Sequence, residues 1–340
     1  MRSNNVEFFK RTVIVIAVAL VPVLVWYLFE VIMIAMGAVL VAVLLWLGAE
    51  PLTRWLRLPH GVALCISGLF IIVIVGGAGY LFGAQISTEF QDVFNRAAQA
   101  QRSITSQMQG SEIGKLVLSH TKGENLSITT VVTRIFTISA NFLEALVVTI
   151  IAGAYIAAQP TLYRDGLLVL FPRRMRPNVR ETVEDVANAL RLWALAQLIQ
   201  MVLVGILSTI AAWLIGLPSP LALGVIAGIT EFIPYLGPII AAIPAVLVAA
   251  TQNLHAVIWT IIAYIIIHQT EGNLIVPLIQ RHMVFIPPAL ILLGIVAIGL
   301  MFGTVAIIFA APLAVVIFVL VKKLYVRDSL GERTPIPGED

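Results

Sequence analysis

Apolar stretches close to the length of a membrane span, parted by short polar breaks, run along most of this chain. Residues 12–29 and 31–48 are almost wholly apolar, with only Glu30 carrying charge between them, which predicts two uncleaved spans joined by a tight turn. A third span is expected over 61–83, where Gly68, Gly76, Gly77 and Gly79 suit close helix–helix approach. Residues 85–134 are more polar. There Ile86, Phe90, Val93, Ala97, Ile104 and Met108 recur at three- and four-residue spacing, the mark of an amphipathic helix. A fourth span follows at 135–158. Beyond it, Val179, Val183, Val186 and Leu190 give a second amphipathic helix, opened by Pro177 and Asn178, before a fifth span at 192–217.

The second half has a different pattern. Run 221–250 is apolar but carries Glu231, Pro234, Tyr235, Gly237 and Pro238. A carboxylate in hydrocarbon is costly, and a Pro-x-x-Gly-Pro break frees backbone groups that lipid cannot satisfy. Such a break persists where protein or a water-filled cavity covers it, so it marks a place where something polar is bound or moved. The next long segment, 256–279, carries His268, Gln269, Glu271, Asn273 and Pro277. His268 and Glu271 share one helix face, and Gln269 and Asn273 share a neighbouring one.

A second broken run, 287–321, contains Gly303 and Pro312. Leu223-Gly224-Val225-Ile226-Ala227 recurs there as Leu293-Gly294-Ile295-Val296-Ala297, each preceded by a proline (Pro220, Pro288) and closed by another (Pro244, Pro312). Paired, interrupted segments point to a transporter's binding site at which the two breaks meet. An inverted repeat is one reading of the pair, and chance matching of short apolar words is the other.

Composition agrees with the pattern. At 60% hydrophobic and 11% charged residues, against roughly 45–50% and about 25% in soluble domains, the chain is an all-α, polytopic helical membrane protein. About eight membrane segments are expected, two of them broken or re-entrant hairpins in the second half, with amphipathic helices between spans three and four and after span four. The net charge of +3 does not imply nucleic acid, because basic residues cluster at the ends of apolar runs. Arg54 and Arg57, the group Arg164, Arg173, Arg174, Arg176, Arg180 and Arg191, and finally Lys322, Lys323 and Arg327 read as cytoplasmic, which puts both termini inside. If each broken run crosses once, Arg281 and His282 fall outside. If each returns to its side of entry, every basic cluster is cytoplasmic, and this arrangement is expected; a re-entrant hairpin and two thin crossings both satisfy it. The chain then divides into spans 1–84, an extracytoplasmic segment 85–134, a fourth span 135–158, a basic segment 159–191, a core 192–325 and a tail 326–340.

Candidate chemistry is sparse. No Walker A loop, zinc spacing, nucleophile elbow or dinucleotide fingerprint occurs, so no enzyme, cofactor, metal centre or ATP-driven pump is expected. Cys65, the one cysteine, reads as a packing residue. The candidates for contact with a solute or ion are Glu231, Pro234, Tyr235, Gly237, Pro238, Gln269, Glu271, Asn273, Pro277 and Gln200, with His268 and Glu271 as a proton relay. Structural alternatives stand beside them. Gln269 and Asn273 can satisfy carbonyls freed by Pro277, Glu271 can pair with Arg281 or His268, and Gln197 and Gln200 can be interhelical glue.

The segments Glu231-Phe232-Ile233-Pro234-Tyr235-Leu236-Gly237-Pro238 and Glu271-Gly272-Asn273-Leu274-Ile275-Val276-Pro277 resemble the signature of the AI-2E family of permeases. Gly303 followed by Ala310-Ala311-Pro312, and the tail Leu324-Tyr325-Val326-Arg327-Asp328, are similar to it too. The resemblance implies a bacterial inner-membrane permease, with export of autoinducer-2 as one activity, sodium or lithium/proton antiport as another, and a homopentamer as the assembly. Three functions are therefore carried forward: gradient-driven or facilitated transport of a small polar solute, monovalent cation/proton antiport, and a non-transporting membrane scaffold.

Overall fold

The computed structural model describes residues 145–280 and 287–332, most positions from 20 to 80, and positions 12 and 334. Helices and their connections make up all of these residues, and no strand occurs among them. In chain order the helices are α1 (Phe29–Trp55), α2 (His60–Ile74), α3 (Ala145–Ala158), α4 (Pro160–Val169), α5 (Arg176–Ile215), α6 (Pro220–Thr230), α7 (Leu236–Gln252), α8 (Leu254–Thr270), α9 (Pro288–Phe302) and α10 (Ala310–Leu320). Four stretches are long and apolar enough to cross a membrane: Phe29–Trp55, Arg176–Ile215, Leu254–Leu278 and Ala306–Arg327. A fifth is reached if α3 and α4, bent by 92° where Pro160 opens α4, form one broken span. The amphipathic helix expected over 85–134, together with Arg281 and His282, lies outside the described residues.

Several expected boundaries move. Glu30 is not at a tight turn: it sits in the first turn of α1, and the Leu28 N–H to Leu24 O and Ile32 N–H to Leu28 O bonds carry helical geometry past it. The second amphipathic helix is real but not separate, because it continues unbroken into the fifth span as the 40-residue α5. No glycine or proline falls between Pro177 and Gly205 to stop it. At 1.5 Å per residue α5 is about 60 Å long, twice the ~30 Å of bilayer hydrocarbon, so its N-terminal part extends beyond the apolar layer. There Arg164 pairs with Glu184 at 3.2 Å, and Lys323, almost fully buried, bridges Glu181 at 2.5 Å and Asp185 at 2.9 Å. Arg191 pairs with Glu50 of α1, which also holds Arg54 at 2.8 Å.

The close-approach glycines are also elsewhere. A Cβ on Gly76 or Gly77 meets no described atom within 4 Å, and one on Gly68 only touches Leu45 at 3.4 Å. By contrast, a Cβ on Gly228 would lie 2.6 Å from the Met201 carbonyl oxygen, and one on Gly205 would lie 3.1 Å from that of Gly224. These small residues let α6 lie directly on the backbone of α5, a contact that larger side chains would prop apart.

Run 220–252 starts and finishes at one end of α5. Gly216, at φ 81°, ends α5 in the left-handed conformation that glycine tolerates best. Pro220 opens α6 four residues later, and at the far end of α7 the Gln252 side chain donates back to the Gly216 carbonyl at 2.9 Å. The apolar core between α5, α6, α7 and α8 includes Val204, Leu223, Ala245, Val248 and Tyr264. A second cluster packs Val315 and Val319 of α10 against Leu40 of α1 and Leu190 of α5.

Candidate functional site

The break between α6 and α7 is built largely from its own backbone. Phe232 N–H donates to Ile229 O, Ile233 N–H to Thr230 O, and Gly237 N–H to Ile233 O at 2.8 Å, so few amides are left for lipid to satisfy. Leu236 N–H reaches back only two residues to Pro234 O at 2.8 Å, closing a γ-turn around Tyr235 at φ 66°, ψ −35°. That turn is strained for a bulky residue, by about 1–3 kcal/mol. Gly237 is required by space: a Cβ there would come within 2.8 Å of the Glu231 Cα. From α5, the Gln197 side chain donates to the Glu231 carbonyl at 2.7 Å in a fully buried contact. The break thus turns the Glu231 side chain inward; Glu231 is only 3% exposed.

The second half of the site comes from α8. Asn253 caps this helix, its side chain accepting from Ala256 N–H at 2.8 Å. The helix runs regularly to Thr270 and then widens into a π turn over Glu271–Ile275, where Val276 N–H bonds the Glu271 carbonyl five residues back. Pro277 supplies a reason: it has no N–H to give Asn273, and its ring would strike that carbonyl in a regular α-helix. Widening the preceding turn removes the clash. Glu271, first in the π turn, is buried against Glu231 and His268.

One carboxylate oxygen from Glu231, one from Glu271 and a ring nitrogen of His268 all lie within 4.8 Å of one another. His268 Nδ1 is 2.7 Å from the Tyr264 carbonyl, an acceptor only, so Nδ1 carries the hydrogen and Nε2 faces the carboxylates. Its distance to Glu231 Oε2 is 3.5 Å, beyond the ~2.7–3.2 Å of an ordinary hydrogen bond. Both of those atoms are buried without a hydrogen-bond partner. Buried polar groups are normally satisfied; these two face each other, an ion pair once Nε2 is protonated and a pair of facing ligand atoms when it is not. One turn before His268 on α8, Tyr264 has a buried hydroxyl neighbouring Ser208 of α5.

The residues read from the sequence divide into those this geometry unites and those it leaves apart. Glu231, His268 and Glu271 converge, and Pro277 acts on them through the π turn. Pro234, Gly237 and Pro238 shape the break; the Tyr235 side chain points out and is 43% exposed. Asn273 donates to Gln269 at 3.2 Å on the exposed side of the π turn, so this pair satisfies itself and not a carbonyl freed by Pro277. The glutamine on the site is Gln197, while Gln200 is only partly buried one turn farther on. The first break meets the π turn of α8 through Glu231, and its Phe232 packs into the apolar cluster that holds Val315 and Val319 of the second run, which bends at Gly303 (φ 87°) and buries Pro312 in α10. Gln197 and the Glu231–Glu271 convergence are tertiary facts, and only the apolar surroundings of each residue hinted at them.

A family model described as AI-2E family transporter matches residues 13–325. The chain belongs to the AI-2E transporter family. The curated relatives are named as putative transport proteins. "Putative transport protein YrrI" of Bacillus subtilis (strain 168) is 34% identical over 166 residues, which are 49% of this chain and 47% of that protein. "Putative transport protein YueF" of the same strain is 30% identical over 148 residues, 44% of this chain and 40% of the relative. A "Putative transport protein" of Thermotoga maritima is 21% identical over 265 residues, covering 78% of this chain and 82% of its own length. The matched stretch therefore spans less than half of each of the two Bacillus relatives and most of the Thermotoga one.

Proposed function

We propose that this AI-2E family member transports a small cation across the bacterial inner membrane, with Glu231, His268 and Glu271 as the ion-binding site. The observation that carries the reading is the convergence of two buried carboxylates and an imidazole, in which Glu231 Oε2 and His268 Nε2 face each other at 3.5 Å with no hydrogen bond. Ionisable groups buried at membrane depth are expensive and mark ion or substrate pathways by default. Here they sit where two irregular backbone segments touch, the arrangement found where broken helices form transport sites. Three ligand atoms within 4.8 Å of one another can converge on a single ion. Run 220–252, whose ends meet at Gly216, acts as a re-entrant hairpin that carries Glu231 to α8 and rocks against the long α5. Because carboxylate ligands take a cation only when deprotonated, cation entry is matched by proton release, which makes the transporter an exchanger.

A second reading, export of a small polar solute, is favoured by the Gln269–Asn273 amide pair, which offers donors and acceptors on the exposed face of the π turn beside the site. One experiment separates the two. The purified chain is reconstituted in vesicles, and fluxes of sodium, lithium, divalent ions and autoinducer-2 are followed with Glu231→Gln and Glu271→Gln beside the parent. The cation reading expects ion flux to fall by about tenfold or more in either variant. Solute export that persists in both variants, with no ion flux in the parent, would overturn it.

A further inference from the structure

From the three side chains that face one another across the break, we infer that this site takes a divalent first-row transition-metal ion, of which Zn²⁺ and Co²⁺ are the working probes. The inference rests on the reading of Glu231, His268 and Glu271 as a cation site and names the class of ion.

The donor set comes first. An imidazole nitrogen is a poor ligand for sodium, lithium or magnesium, which favour oxygen, and a good one for zinc, iron, nickel and manganese. His268 is arranged as a ligand and not as a hydrogen-bonding bystander. Its Nδ1–H is spent on the Tyr264 carbonyl at 2.7 Å, which fixes the ring and directs the Nε2 lone pair toward Glu231 and Glu271. A backbone carbonyl or carboxylate holding the far nitrogen of a histidine is the outer support that metal-binding histidines almost always have.

Charge comes next. Two carboxylates and a neutral imidazole carry −2, so a dication makes the buried cluster neutral, whereas a monovalent ion leaves a net −1 in low-dielectric surroundings. Geometry is the third point. Ligand atoms within 4.8 Å of one another, with His268 Nε2 and Glu231 Oε2 at 3.5 Å, need only small inward rotations to close on an ion at the ~2.0–2.2 Å typical of zinc with nitrogen and oxygen ligands. Glu231 is 97% buried by its 3% exposure, and its Oε2 faces His268 Nε2 with no hydrogen bond. Three protein ligands leave coordination positions open, which suits an ion that must leave again.

The test uses the full-length, tag-free protein in detergent. Zn²⁺ binding is followed by calorimetry, and Co²⁺ serves as an optical probe whose visible bands report nitrogen and oxygen ligation. The expected result is one saturable Zn²⁺ per chain, unaffected by excess sodium and weakened about tenfold or more by His268→Gln and by Glu231→Gln. Co²⁺ bands should appear in the parent and change in His268→Gln. His255→Gln, on the exposed start of α8, controls for a surface site and should leave binding unchanged. Absence of saturable Zn²⁺ binding, or binding lost in His255→Gln and kept in His268→Gln, overturns the inference. Melting curves of each variant separate lost ligation from lost folding. If sodium or lithium flux depends on Glu231 and Glu271 while Zn²⁺ does not bind, the metal class falls and the cation reading survives. If Zn²⁺ binds at His268 but no ion flux depends on it, the transport reading falls and the metal site stands.

Discussion

Gln197 shows how much of the site depends on single contacts. Its side chain holds the Glu231 carbonyl at 2.7 Å in the interior, and Glu231 in turn owes its position to that backbone. Gln197→Ala would strand a buried carbonyl and is expected to cost about 1–3 kcal/mol, read as a lower melting temperature in detergent, with ion flux falling as the carboxylate loses its placement. An unshifted melt together with unchanged flux would show that the contact is incidental. At this scale the sequence is partly legible. Charged residues in apolar runs are rare enough that Glu231 and Glu271 stand out at once, and the three-residue spacing of His268 and Glu271 places them together. The choice of Gln197 over Gln200 is not legible, because it depends on the rotation of α5 against the break.

Helices and their interruptions carry the next layer. The breaks follow from local chemistry: Pro234 and Gly237 stop α6 from continuing, and Pro277 widens the last regular turn of α8. What the pattern does not reveal is which interruption faces which. Hydrophobicity is nearly uniform around α8, α9 and α10, so it fixes no buried face. The glycine-lined contact of α5 and α6 decides the geometry instead. Gly228→Leu would drive a side chain into the Met201 carbonyl and separate the two helices. Overpacking of this kind costs about 1–3 kcal/mol, and the expected readout is a lower melting temperature, while Gly166→Leu, on the exposed face of α4 with no atom within 4 Å of its Cβ, leaves the melt nearly unchanged. Equal effects from the two substitutions would show that the α5–α6 seam is not special. The length of α5 has a similar origin: the charges up to Arg191 that set the start of the expected fifth span at 192 are compatible with helix, so polarity changes along it while the backbone does not.

The whole molecule is a helical membrane protein in which one long helix serves as a post. The run 220–252 leaves from its Gly216 end and returns there. With Cys65 replaced, single cysteines at Ser219 and Thr251 should therefore react with a membrane-impermeant thiol reagent from the same side of the bilayer; labelling from opposite sides would make the run a single crossing. Membrane class, the long apolar segments and the importance of the second half all follow from hydropathy and charge. The pairing of the break with the π turn arises only from three-dimensional packing, and on it rests the assignment of Glu231 and Glu271 to one ion site. The most direct test is a double-substitution cycle on ion flux in reconstituted vesicles, comparing Glu231→Gln, Glu271→Gln and the pair. One shared site predicts that each single variant loses nearly all the flux the double variant loses, the strong non-additivity of groups that act as a unit. Losses that simply add, or a double variant that still transports at the parent rate, would contradict it.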